Sequence, residues 1–97
     1  MIANGAGIFS PPLRQLLRNH PGPGPLRVLD VGCGAGDLSR RLERRARRQG
    51  YALRVDGCDL SPVAIAMAGR DNRKAGGRGA FFVRDAVHEE LPGPYDV

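Results

Sequence analysis

The run Val28-Leu29-Asp30-Val31-Gly32-Cys33-Gly34-Ala35-Gly36-Asp37 constrains this 97-residue chain more than any other segment. Leu26 to Val31 holds four apolar residues without regular alternation, as in a parallel strand covered on both faces. Glycines 32, 34 and 36 then remove side chains where the backbone must turn sharply and where a ligand can approach main-chain atoms. Asp37 or Ser39 is placed to cap the helix that follows. Leu38, Leu42 and Ala46 give that helix an inward stripe, and Gly50 ends it.

The run Tyr51 to Leu60 reads as a second strand with Asp59 at its carboxyl end, 23 positions after Gly36. That is the spacing of a ribose-binding carboxylate, which accepts two charge-assisted bonds from vicinal hydroxyls. A helix-capping or turn carboxylate is the alternative reading of Asp59, since Ser61-Pro62 opens the next helix. Asp56, within the strand, is the poorer candidate. Val63, Ile65, Ala66 and Met67 supply the apolar side of a helix running to about Lys74, and Ala80 to Arg84 reads as a third strand. Right-handed crossovers gather Gly32 to Gly36, Asp59 and Asp85 along one edge of the sheet.

A dinucleotide would set its pyrophosphate on the helix amino terminus. The third glycine comes one position too early for Gly-x-Gly-x-x-Gly, and Asp37 brings a carboxylate to that place. Two like charges about 4 Å apart repel by about 4 kcal/mol at an effective dielectric near 20. A phosphate-free cation fits better: S-adenosylmethionine carries an ammonium and a sulfonium that suit carbonyl oxygens and the carboxylates of Asp30 and Asp37. A nicotinamide or flavin site of an oxidoreductase is the alternative. A non-catalytic remnant that binds a partner is the third reading.

Val28 to Gly36, Gly57-Cys58-Asp59-Leu60-Ser61, Val83-Arg84-Asp85-Ala86, Leu91-Pro92 and Pro94-Tyr95-Asp96-Val97 follow one another in a recognisable order and spacing. Over residues 26 to 97 the chain resembles class I S-adenosylmethionine-dependent methyltransferases. The resemblance implies a Rossmann-like α/β fold, a three-layer sandwich with a parallel sheet and helices on both faces. It implies that Asp30, Gly32, Gly34 and Gly36 surround the methionine part of the cofactor, with backbone contacts from Gly32 and Cys33. Asp59 would hold the ribose, Leu60 would pack on the adenine, and Asp85 and Ala86 would read the adenine edge. In the family the chain continues through a fourth strand to an acceptor pocket, whereas this sequence stops at Val97 as that strand begins. The expectation is therefore the amino-terminal part of a methyltransferase domain, as a fragment or a shortened gene product. Residues 1–25 are expected to be a leading helix, with Leu13, Leu16 and Leu17 on one face after Ile8-Phe9-Ser10, and a Pro/Gly linker.

A chain of this length makes one domain with a thin core, burying somewhat over 60% of its unfolded surface. No apolar run approaches the ~18 residues of a membrane span, and the first nine residues lack the pattern of a secretory signal. Cys33 and Cys58 have neither metal-ligand spacing nor partners, so no metal is expected and a reduced, cytoplasmic protein is. The net charge of +5 comes from fourteen arginines and one lysine, six of the arginines on the first long helix. A solvated basic face is the expectation, ahead of an RNA or acidic-substrate surface, and a small molecule is the expected methyl acceptor. Methyl transfer is a direct displacement that rests on alignment and exclusion of water. His88 reads as an exposed loop residue, and no catalytic residue is assigned.

Overall fold

The computed structural model describes residues 11–20 and 22–97. The expectations placed on Ile8, Phe9 and Ser10 lie outside them, and so does the side chain of Leu13. Helix α1 (Pro11–Asn19) leads into strand β1 (Leu26–Val31), helix α2 (Asp37–Arg48), strand β2 (Leu53–Asp59), helix α3 (Pro62–Lys74) and strand β3 (Phe81–Val83). The sheet is parallel in the order β1-β2-β3, with Val28 opposite Val55 and Gly57 opposite Phe81. Beyond β3 proper, Gly57 N donates to the carbonyl of Ala80 (2.9 Å) and Arg84 N to that of Asp59 (3.0 Å), which spans the expected strand.

Side chains alternate across a strand, so Leu26, Val28, Leu53 and Val55 share one face. Leu42 and Ala46 of α2 pack there with Leu17 of α1, and Leu38 lies against the same cluster. Two successive right-handed crossovers in one direction place both connecting helices on the same side of a sheet. Ala68 of α3 accordingly lies beside Gly36 and the Phe81 ring on this side. Of the three layers expected, the described residues build the sheet and this helical layer. On the opposite face Tyr95, from the extended carboxyl-terminal segment, donates its hydroxyl to Asp56 at 2.7 Å.

That segment also meets the outer edge of β1. Val97 N donates to Arg27 O (3.3 Å) and Leu29 N to Val97 O (3.0 Å), the pattern of one parallel rung, while Asp96 Oδ2 accepts from Arg27 N (2.8 Å). Asp96 N also donates to Arg27 O (2.8 Å), so the segment lies along the edge of β1 where a fourth strand is expected without being a strand itself.

Three local expectations are corrected. Helix α2 has Gly36 as its N-cap, in the left-handed region, with no side-chain cap bond. Ser39 turns inward to Asp30 and Asp37 turns outward to Arg40, so neither caps. In α3 the inward residues are Ile65, Ala68 and Asn72, whereas Val63 and Met67 are exposed. In α1 Leu17 is buried and Leu16 is exposed. The end of α2 is as expected: Gly50 sits at φ 82°, with Tyr51 N bonded to Ala46 O and Gly50 N to Arg47 O, a Schellman stop.

Candidate functional site: the carboxyl edge of the sheet

Asp30, next to last in β1, faces α2 and is buried beneath the glycine turn. It accepts the Ser39 hydroxyl at 2.9 Å. Burial raises its pKa above the usual carboxylate value, and the Ser39 bond opposes that shift. Asp30 therefore supports the turn from below.

The three glycines of the turn divide into two kinds. Gly32 (φ 73°) and Gly34 (φ 57°) are left-handed, and a Cβ on either would meet nothing within 4 Å. Both leave open space beside the backbone. A Cβ on Gly36 (φ 82°) would lie 3.1 Å from the Phe81 ring, 3.2 Å from Ala68 and 3.3 Å from Arg40. Gly36 is a packing joint between turn, α3 and β3.

Four amides of the turn, those of Gly32, Cys33, Gly34 and Gly36, are spent inside the protein. Gly32 N and Cys33 N both donate to Cys58 O, at 2.8 and 2.9 Å, and Gly36 N donates to Cys33 O at 3.0 Å. Gly34 N donates to Asp59 Oδ2 at 2.9 Å, while Asp59 Oδ1 accepts from Ser61 N at 2.9 Å. The Ser61 amide, then that of Gly34, hold the Asp59 pKa below the usual carboxylate range. Ionised and fixed, Asp59 keeps acceptor capacity on both oxygens, because a carboxylate offers about four lone-pair sites. Asp59 thus braces the turn from the end of β2.

Leu60 follows as an apolar side chain that is 68% exposed. The bond from Arg84 N to Asp59 O sets Asp85 one residue past the rung beside Asp59. Asp85 turns into its own loop: Oδ1 accepts from Val87 N at 3.0 Å, and Oδ2 lies 2.7 Å from His88 Nδ1. The His88 bond, then that of Val87, lower its pKa. Ala86 is half-buried beside it, and His88 is exposed as expected. Burial first, then the charges of Asp30 and Asp59, push the Cys33 thiol up to about 12, which disfavours the thiolate.

Asp37 stands at the rim, exposed and bonded to Arg40, whose other guanidinium nitrogen donates to Ala35 O at 2.8 Å. Arg40 offsets the charge that was expected to repel a diphosphate, so repulsion from Asp37 no longer decides the question. Within the turn the amides of Gly32, Cys33, Gly34 and Gly36 donate inside the protein and offer no anion cradle, while the uncapped amino terminus of α2 still presents main-chain N–H groups. The sequence did not reveal the roles of Ser39 as the partner of Asp30, of Arg40 as the tie to Ala35 O, or of Gly57, which holds open a place where a Cβ would lie 2.7 Å from Cys33 Sγ and from the Phe81 ring.

Residues 28–97 match the family described as methyltransferase domain. The chain belongs to that family. This methyltransferase chain is 34% identical over 73 residues to the ubiquinone biosynthesis O-methyltransferase of Burkholderia vietnamiensis, covering 73% of the chain and 29% of that protein. It is 43% identical over 54 residues to the human mitochondrial citrate synthase-lysine N-methyltransferase, covering 56% of the chain and 21% of that protein. The solved S-adenosylmethionine-dependent methyltransferase SibL superposes with a TM-score of 0.62 at 30% identity, over 72% of this chain and 20% of that one. The chain thus spans less than a third of the length of these relatives. S-adenosylmethionine is the cofactor of the family, and the residues present fit it: open glycines at 32 and 34, an ionised Asp59 and an exposed apolar Leu60. Among the described residues no helix is long and apolar enough to cross a membrane.

Proposed function

We propose that residues 26–97 are the amino-terminal, cofactor-binding portion of a longer methyltransferase domain, which carries a methyl group from S-adenosylmethionine to a small-molecule acceptor in the cytoplasm. One observation carries the reading. Asp59, ionised and held by the amides of Gly34 and Ser61, stands at the strand end beside the open, left-handed Gly32 and Gly34, which suits a nucleoside whose tail is positively charged.

In this reading Gly32, Cys33 and Gly34 line the methionine part of the cofactor, with Asp30 supporting them from beneath and Asp37 at the rim. Asp59 accepts from the ribose hydroxyls, Leu60 packs on the adenine, and Asp85 with Ala86 meets its edge. Gly36 acts through packing. When bound, the sulfonium supplies an electrophilic methyl group. The residues of this chain bind and orient that donor, and the turn contributes a backbone that has no need to reorganise. Atoms that hold the acceptor are assigned to the part of the domain outside this span, since the relatives named above act on unlike acceptors.

Calorimetric titration of the chain with S-adenosylhomocysteine, S-adenosylmethionine and NADH tests the proposal. Saturable binding of the two sulfur nucleosides and none of NADH is the expected result. Binding of NADH alone returns the chain to the oxidoreductase reading, and a folded chain that binds none of the three is the interaction module.

A further inference from the structure

Helix α2 carries a second surface, on the side away from the core. At about 100° per residue, Arg41, Arg44, Arg45 and Arg48 fall within an arc of about 100°. All four are exposed, and Ser39, Leu42, Glu43 and Ala46 form the buried side opposite. The stripe is about 10 Å long, and its members stand three and four residues apart, where like charges repel.

Solvated helix faces commonly interleave acidic residues at these spacings. Here the helix has two acids, and both are committed elsewhere. Asp37 is bonded to Arg40. Glu43 is buried, its Oε2 accepting from Val55 N at 3.1 Å and its Oε1 from Arg78 N at 3.0 Å. Among the described residues no carboxylate forms a salt bridge with any of the four stripe arginines. The helix carboxyl terminus favours cations near Arg45 and Arg48, but that effect fades within the last turn and does not reach Arg41. Beside the stripe, Glu43, Arg47 and Arg78 line a cavity of about 310 Å³ with Tyr51 and Leu53, so the cavity carries both signs of charge.

We infer that this stripe docks the acidic helical face of a partner protein, whose carboxylates complement the four guanidinium groups. Arginine presents a planar fork that pairs bidentately with carboxylates. A carboxylate row on a partner helix repeats at the same three- and four-residue spacing. Nucleic acid fits less well, because the stripe belongs to a single helix and offers no aromatic residue on which bases could stack. The inference stands apart from the cofactor reading, since the stripe faces away from the core and shares no residue with the candidate cofactor site.

The test measures fluorescence anisotropy of a labelled glutamate-rich helical peptide, and of an RNA hairpin of equal charge, with the 97-residue chain at 50 and 300 mM salt. The peptide is expected to bind at low salt and to weaken at least about tenfold at high salt, as screening requires. Replacing Arg41, Arg44, Arg45 and Arg48 by Gln, a good helix former, should cost at least about twentyfold in peptide affinity with S-adenosylhomocysteine binding unchanged. A control variant replaces Arg14, Arg18, Arg73 and Lys74 by Gln, removing as many exposed charges elsewhere, and should keep peptide affinity within about threefold. Equal losses in the two variants, no peptide binding at 50 mM salt, or tighter binding of the RNA would each overturn the inference. Loss of nucleoside binding in the unmodified chain with peptide binding intact would instead count against the cofactor reading alone.

Discussion

The loop after β1 and the loop after β3 lie on the same edge of the sheet and are held in opposite ways. The first is tied to its surroundings through Cys58 O, Asp59, Ser39 and Arg40, with Gly36 packed against a second helix and a third strand. The other is bonded mainly to itself, Asp85 to Val87 and His88, with an ion pair of 3.5 Å from Arg84 to Glu89 at its surface. A cofactor seated on both would meet a prepared surface at its methionine and ribose end and a surface still to be ordered at its adenine end. Ordering at that end costs entropy, which lowers affinity without altering the alignment of the reacting methyl.

The sharpest way to break this contrast is Gly36→Ala. A left-handed alanine costs about 1–2 kcal/mol and crowding against Phe81 and Ala68 a similar amount, so chemical denaturation should show a loss of about 3 kcal/mol. Gly34→Ala, with open space around it, should lose only about 1 kcal/mol of stability in the same experiment while weakening nucleoside binding. Equal destabilisation by the two would remove the distinction between packing and ligand-facing glycines.

Next in size is Asp59→Ala, expected to lower S-adenosylhomocysteine affinity by about 1.5–3 kcal/mol in calorimetry through its charge-assisted bonds. An unchanged dissociation constant would take Asp59 out of the site. Asp30→Asn sharpens the comparison through pH. A carboxyl whose folded pKa is raised destabilises the fold once pH exceeds its unfolded value, so the variant should melt higher than the parent at neutral pH. The difference should vanish as pH falls below about 4, where Asp30 is protonated in both states. The smallest effect belongs to Asp85→Ala. Melting temperature should be unchanged, since its bonds stay within one exposed loop, with a modest loss of nucleoside affinity.

The strands, the order of elements and the gathering of Gly32, Asp59 and Asp85 at one edge were legible because local signals dominate there: β-branched runs, glycine turns and the Ser61-Pro62 start, where Ser61 Oγ does cap Ala64 N. What was not legible depends on backbone atoms far away in sequence. Glu43 and Asp56 are buried because they satisfy the amides of Val55, Arg78 and Ala80 along the part of β2 that β3 is too short to pair. Asn72 lies inward because its amide reaches Gly79 O at 2.9 Å. No residue pattern within α2 or α3 announces partners of that kind. For α3 the apolar count pointed to Val63 and Met67, yet the close approach of Gly36 demands a small residue facing the turn, and Ala68 supplies it.

The carbonyl of Cys58 receives two protons, one from each of the first two amides of the glycine turn. A shared acceptor makes a single latch. Deuterium should enter the amides of Gly32 and Cys33 together, when the second strand releases that oxygen, and any nucleoside that stiffens the ribose pocket should slow both by the same factor.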